Sequence, residues 1–236
     1  MSSKALIIIP AFDPPEEELL RLLEKLYSLD GEREILLLND GSHKTAAPFF
    51  RMIRAKYPRL HFLEHEKNRG KGRTLQEAFS YAREKFPSSP TVTADSDGQH
   101  APEDILRLAF LAEEEKADLI LGVREFAKES VPFRSRLGNH LAAQLFALFY
   151  GRKLADTQTG LRALSPAFAE HVLSSCRGKG YEFEMEMLLV CVKNGFSIRE
   201  EKIKTIYSHS GRVSHFKPLR DTLRILCRLL FSLGKK

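Results

Sequence analysis

Residues 91–100, Thr91-Val92-Thr93-Ala94-Asp95-Ser96-Asp97-Gly98-Gln99-His100, decide both the fold and the chemistry of this chain. The β-branched start, 91–95, reads as a buried strand that ends in acid. In extended backbone, residues i and i+2 point to the same side. Asp95 and Asp97 then converge on one point, which suits Mg²⁺ or Mn²⁺ beside diphosphate oxygens. Gly98 permits a turn there, and Gln99 offers a neutral oxygen ligand. A bare D-x-D is common in solvated turns. The buried strand in front of this one makes it a candidate metal site.

Outward from that strand the pattern repeats. Residues 5–10 (ALIIIP), 34–39 (EILLLN), 60–64 and 118–123 (DLILGV) read as further strands. Helical stretches fall at about 15–28, 45–56 and 71–86, and again after Pro102. Strands alternating with helices at this spacing predict βαβ units and an α/β fold with a mostly parallel sheet flanked by helices. Such sheets bind ligands beyond the carboxyl ends of their strands. The second half is less regular. Residues 136–150 read as an apolar helix, and 160–164 and 196–203 look extended. The run 182–187 (EFEMEM) alternates like a strand, yet it continues into LLVCV, which suits a buried helix; periodicity leaves both open.

Two loops add polar chemistry at strand ends. Asn39-Asp40-Gly41-Ser42 suits a turn with a helix cap. The turn is the simpler reading; the functional one is a nucleoside pocket in which Asp40 accepts hydrogen bonds from a ribose or base. Asn68-Arg69-Gly70-Lys71-Gly72 is a basic, glycine-rich turn opening a helix, where main-chain N–H groups and Lys71 suit an anion. The spacing of a P-loop is absent, and no G-x-G-x-x-G follows the first strand.

The 236 residues suffice for one large α/β domain, 1–215, followed by a distinct segment, 216–236. The net charge of +6 suits an anionic partner. The three cysteines, Cys176, Cys191 and Cys227, form no metal or disulfide pattern and read as core thiols. No signal peptide or spanning helix is visible, so the expected location is cytoplasmic.

The ordered set IIIPAF…D, NDGS, NRGKG and DSDGQH resembles the family 2 inverting glycosyltransferases of GT-A type, which have a Rossmann-like sheet. FRSRLGN (133–139), DTQTGLRA (156–163) and YEFEMEML (181–188) narrow the likeness to the polyprenyl-phosphate glycosyltransferases, such as dolichyl-phosphate mannose synthase. The resemblance implies a donor site for a GDP- or UDP-sugar at Pro10, Phe12, Asp13, Asp40, Lys71, Asp95 and Ser96. It implies a metal shell of Asp95, Asp97 and Gln99. Arg124 is implied to contact phosphate, and Arg134, Ser135, Arg136 and Arg162 to meet the acceptor phosphate. Asp97, Asp156 and Arg124 are the implied catalytic set, with Asp156 orienting the acceptor or acting as base. A small membrane protein is an implied partner, and nucleic acid is not.

The expected reaction is attack by a lipid phosphate oxygen on the sugar's anomeric carbon, with a nucleoside diphosphate leaving. One alternative keeps the fold and transfers to a sugar hydroxyl, with Glu182 or Glu184 as base. Another, from a different class, is a non-catalytic nucleic-acid-binding module. The acidic pair and the lack of interleaved aromatics speak against it. Residues 216–233 space Leu219, Leu223, Leu226, Leu230 and Leu233 along one stripe beside Arg220, Arg224 and Arg228. That pattern predicts a basic amphipathic helix on a membrane surface, and so a peripheral protein at the cytoplasmic face.

Overall fold

The structure, a computed structural model, describes residues 3–124, 133–204 and 206, with the side chains of 133–138 and 140 outside the description. In chain order it contains β1 (Leu6–Ala11), α1 (Glu16–Leu29), β2 (Ile35–Asn39), α2 (Ala47–Lys56), β3 (His61–Glu64), α3 (Lys71–Lys85) and β4 (Thr91–Thr93). Then come α4 (Pro102–Glu113), β5 (Leu119–Arg124), α5 (Phe133–Tyr150), β6 (Arg162–Leu164), α6 (Pro166–Ser175), α7 (Glu182–Lys193) and β7 (Ile198–Ile203). The expected amphipathic helix at 216–233 lies outside the described residues.

The strands form one sheet in the order β3-β2-β1-β4-β6-β5-β7. β1 pairs in parallel with β2 and β4, β2 with β3, and β5 with β7. β6 alone among these runs antiparallel to both its neighbours, β4 and β5. Its first residue, Arg162, stands opposite Thr93 and Leu121. The segment just before it, 156–161, is thereby delivered to the carboxyl end of the sheet. The order in which strands are added reverses between β1 and β4, which is where an open α/β sheet leaves its binding crevice.

Both faces of the sheet are covered, which explains why the strands read as unbroken apolar runs rather than alternating ones. Leu6 and Ile8 of β1 face one core with Phe79 of α3, Phe168 of α6 and Phe183 of α7. Ala5, Ile7 and Ile9 face the other, with Leu19 and Leu23 of α1, Phe50 of α2 and Leu108 of α4. Local signals start the helices: Glu16, Glu17 and Glu18 load the first turn of α1, and Pro102 opens α4. Ser165 caps α6 by accepting from the Phe168 amide at 3.2 Å.

The run left open at 182–187 is helical. Its alternation of acid and apolar is not an alternation of exposure, because Glu184 and Glu186 are buried along with Phe183, Met185 and Met187. Cys176 and Cys191 are buried, as expected of core thiols, and burial pushes the Cys191 thiol up to about 12, while Cys227 lies outside the described residues.

Candidate active site

The acidic motif arrives differently from the way its spacing suggests. β4 stops at Thr93, where its pairing with β6 ends, and Asp95–Asp97 lie in a turn. Gly98 takes φ +73°, and the Asp97 carboxylate accepts from the Gln99 amide at 3.0 Å. A folded turn, rather than strand alternation, brings the two carboxylates near each other. Burial and the neighbouring Asp95 charge raise the Asp97 pKa. Burial alone would push Asp95 upward too, but the Lys71 ammonium and His100 outweigh it and hold Asp95 well below the usual carboxylate range.

Lys71 opens α3 and sends its ammonium between two acids, 2.6 Å from Asp95 Oδ1 and 2.8 Å from Glu184 Oε1. Burial would lower its pKa, yet the two carboxylates raise it above the ordinary lysine value. The Tyr181 ring lies 5.6 Å from the ammonium. His100, buried, places Nε2 3.3 Å from Asp95 Oδ2. Gly160 closes the remaining side of Asp95: a Cβ built there would lie 2.2 Å from Oδ2.

On the donor side, Asp40 does not present a carboxylate to the crevice. It is buried, and it accepts at Oδ1 from the Arg69 amide (2.8 Å) and at Oδ2 from the Gly70 amide (2.9 Å), with His65 Nδ1 2.7 Å from Oδ1. The basic turn is therefore built on Asp40, and two of the N–H groups expected to greet an anion are already used. The Gly72 amide is committed to the Lys179 carbonyl at 3.0 Å. Lys71 is the cation the turn directs at the site. Asp13 has φ +42° and is tied down in the same manner: its amide donates to Ser42 Oγ at 2.8 Å, and its carboxylate takes the His43 amide at 2.7 Å and the His43 ring. Phe12 packs 6.2 Å from the His43 ring, and Pro10 is half-buried at the end of β1. Asp13 and Asp40 thus shape the crevice instead of lining it with free acceptors.

In the segment expected to meet the acceptor, Asp156 is fully enclosed and chelated by Arg124, with Nε at 2.6 Å and Nη2 at 3.0 Å. A carboxylate so held aims the arginine and has no oxygen to spare as a base. Arg162, also fully buried, donates to the carbonyls of Thr159 (2.9 Å), Glu184 (2.6 Å) and Thr157 (3.1 Å). In this structure Arg162 spends its donors on the main chain and pins 157–159 against α7. Asn139 of α5 clasps the same segment through the Ala155 carbonyl and the Thr157 amide. Arg134, Ser135 and Arg136 fall in the first turn of α5, and their side chains lie outside the described residues.

Three site residues were not singled out by motif: His100, Gly160 and Glu184 as the partner of Lys71. His100 follows Gln99 directly, so only its position beside the acids advertised it. Among the described residues, no group of three or more His, Cys, Asp or Glu side chains is arranged to hold a metal by itself. Two hard carboxylates and an amide still fit a cation that draws its remaining oxygens from a bound diphosphate. No described helix is long and apolar enough to cross a membrane.

Comparison with known proteins bears on family and fold. The model of glycosyl transferase family 2 matches residues 6–171. The UDP-N-acetylglucosamine–dolichyl-phosphate N-acetylglucosaminyltransferase of Methanococcus voltae is 27% identical over 219 residues, covering 86% of this chain and 85% of its own. The polyprenol monophosphomannose synthase of Mycolicibacterium smegmatis is 28% identical over 207 residues, covering 86% of this chain and 77% of its own. Among solved structures, glucosyl-3-phosphoglycerate synthase from Mycobacterium tuberculosis, crystallised with Mn²⁺, UDP and glucosyl-3-phosphoglycerate, superposes with a TM-score of 0.70. It is 19% identical, over 98% of this chain and 81% of that one, and shares the GT-A type fold.

Proposed function

This chain belongs to glycosyl transferase family 2, and from that premise we propose that it transfers a sugar from a nucleoside-diphospho-sugar to the phosphate of a polyprenyl carrier. The observation that carries the reading is the state of the glutamates. A hydroxyl acceptor needs a free carboxylate to take its proton. Glu184 is buried and paired with Lys71, and Glu182 accepts from the Lys179 and Gly180 amides at 3.0 and 3.1 Å. A phosphate monoester is already anionic at neutral pH and needs no such base. The names of the two relatives described above point to the same acceptor class. Membership of an enzyme family disposes of the nucleic-acid-binding alternative.

In this reading an acceptor phosphate oxygen forms a bond to the anomeric carbon as the bond to the nucleoside diphosphate breaks on the opposite face, with inversion. A divalent cation held by Asp95, Asp97 and Gln99 would neutralise charge on the departing diphosphate. Lys71 adds a second positive charge on that side. Arg124, held by Asp156, would contact phosphate, and Arg134, Ser135 and Arg136 would meet the phosphate of the acceptor. Ser96 stays with the donor set. The order Pro10, Phe12, Asp13 and Asp40 supplies the wall of the nucleoside pocket rather than its hydrogen-bond acceptors. The amphipathic segment 216–236 would hold the domain on the membrane surface where the carrier resides.

The test offers purified protein UDP- and GDP-sugars with a short polyprenyl phosphate or with a sugar hydroxyl acceptor, with and without Mn²⁺. Product on the phosphate is expected. Transfer to the hydroxyl with none to the phosphate overturns the reading. Isothermal titration of UDP and GDP separates the two bases.

A further inference from the structure

The cation between Asp95 and Glu184 joins the two halves of the crevice. We propose that Lys71 is a resident counter-ion that holds Asp95 against divalent metal until the donor arrives, with Glu184 keeping hold of the ammonium when it lets go. The inference rests on the metal-site reading of Asp95 and Asp97.

The geometry leaves a metal little choice of approach. Gly160 shuts one side of the Asp95 carboxylate, and His100 lies against Oδ2. The Lys71 ammonium sits on Oδ1 at 2.6 Å. That ammonium is largely enclosed: its side chain is 16% exposed, and the Tyr181 ring lies 5.6 Å from it. An ammonium and a divalent ion on one carboxylate oxygen repel each other at close range. Metal alone must therefore displace a cation that has two carboxylate partners.

A nucleoside diphosphate changes the balance. It supplies oxygens that complete a metal shell which the described residues do not complete. It also supplies fresh negative charge to which the ammonium can turn. Glu184 sets the distance of that turn. Its side chain is 7% exposed and its Oε1 is 2.8 Å from Nζ, so it remains a partner when Asp95 is given up. A buried carboxylate without a cation is costly, so Glu184 also keeps Lys71 from swinging out to solvent. Metal and donor should then bind with positive coupling, which is reciprocal by linkage. Lys71 and Glu184 are positioning residues in this device.

The experiment follows free Mn²⁺ by its electron paramagnetic resonance signal as it is titrated into the full chain, without nucleotide and with UDP or GDP. Wild type should bind Mn²⁺ weakly alone and at least ten-fold more tightly with nucleotide. Lys71→Met should bind Mn²⁺ alone at least ten-fold more tightly than wild type, and the nucleotide's enhancement should shrink accordingly. The double variant Lys71→Met/Glu184→Gln removes one charge of each sign, so the net charge of the pocket is unchanged and no buried carboxylate is stranded. A gain in Mn²⁺ affinity there reports loss of the competitor rather than of positive charge, and it serves if the single variant does not fold. Glu184→Gln should bind Mn²⁺ alone at least three-fold more weakly, because the ammonium then rests on Asp95 only. Wild-type Mn²⁺ affinity in the double variant overturns the counter-ion role and leaves the metal site standing. Absence of Mn²⁺ binding in every variant, with and without nucleotide, overturns the metal reading itself and this inference with it.

Discussion

The turn at 95–99 and the segment at 156–162 are both polar, both follow or precede a strand at the same end of the sheet, and both carry an aspartate that invites a chemical role. They do opposite things. Asp95 and Asp97 remain part-exposed at the crevice, with a lysine and a histidine close by. Asp156, Thr157, Thr159 and Arg162 are almost wholly enclosed, and their hydrogen bonds end on main-chain groups or on the side chains of Arg124 and Asn139. The first is surface chemistry held by a turn. The second is a polar core that shapes its end of the sheet from within. Buried polar groups must be satisfied internally, so a motif that is enclosed spends its hydrogen bonds on architecture.

The sharpest way to break this contrast is Arg162→Met. Three carbonyls lose their donor inside the core. We expect a loss of about 3–5 kcal/mol in stability, read by urea denaturation. A variant as stable as wild type, with only its acceptor KM raised, would return Arg162 to the acceptor surface. Asp97→Ala is the converse. It should lower kcat at least about a hundred-fold while the melting temperature stays near wild type, since the side chain belongs to a turn. EDTA-insensitive turnover at the wild-type rate in that variant would remove Asp97 from the site.

A smaller effect sharpens the comparison within the acceptor half. Arg136→Ala should raise the apparent KM for polyprenyl phosphate about ten- to a hundred-fold, the equivalent of roughly 1.5–3 kcal/mol for a charge-assisted bond. The donor KM should not move. Superimposable acceptor titrations would make Arg136 a surface residue. The membrane contribution of 216–236 is measured separately. Co-sedimentation with anionic vesicles should fall when the chain ends at Lys217, and should weaken with salt. Equal sedimentation of both chains would remove that segment as the anchor.

The smallest expected effect lies in pure scaffold. Asp118, at the foot of β5, accepts from Ser165 Oγ at 3.2 Å, the Ser197 amide at 2.9 Å and Ser197 Oγ at 2.7 Å. Partial burial works against its charge, but these hydrogen bonds outweigh it and leave the pKa below the ordinary value. A depressed carboxylate contributes stability above its unfolded pKa, and that contribution fades as pH falls through its folded pKa. Asp118→Asn should cost about 0.5–1 kcal/mol at pH 7, at the low end because the group is partly exposed and screened. The gap to wild type should close below about pH 4. Neither substrate's KM should change. An undiminished gap at low pH would show that the cost is packing rather than charge.

Much of this was legible in the residues. Strands at 5–10, 34–39 and 118–123 declare themselves because a sheet covered on both faces demands continuous apolar runs. The acids after 91–93 follow from the rule that such sheets carry their chemistry at strand ends. Asp40 and Asp13 were legible as loop residues but not as loop builders, since the same carboxylate reads alike whether it meets a ribose or two main-chain amides. The run at 182–187 hid its helix because acid and apolar side chains are both buried there.

Local pattern therefore determined which segments become strands and helices, and that carboxylates and cations gather at one end of the sheet. Those properties depend on neighbours a few residues away, through backbone geometry and side-chain period. Only the tertiary structure decided what each polar group does. The antiparallel insertion of β6 turns 156–162 inward, and α7 brings Glu184 to a lysine more than a hundred residues earlier in the chain. A carboxylate's role is set by whatever stands within about 3 Å of it, and residues so distant in sequence meet only when the whole sheet has assembled.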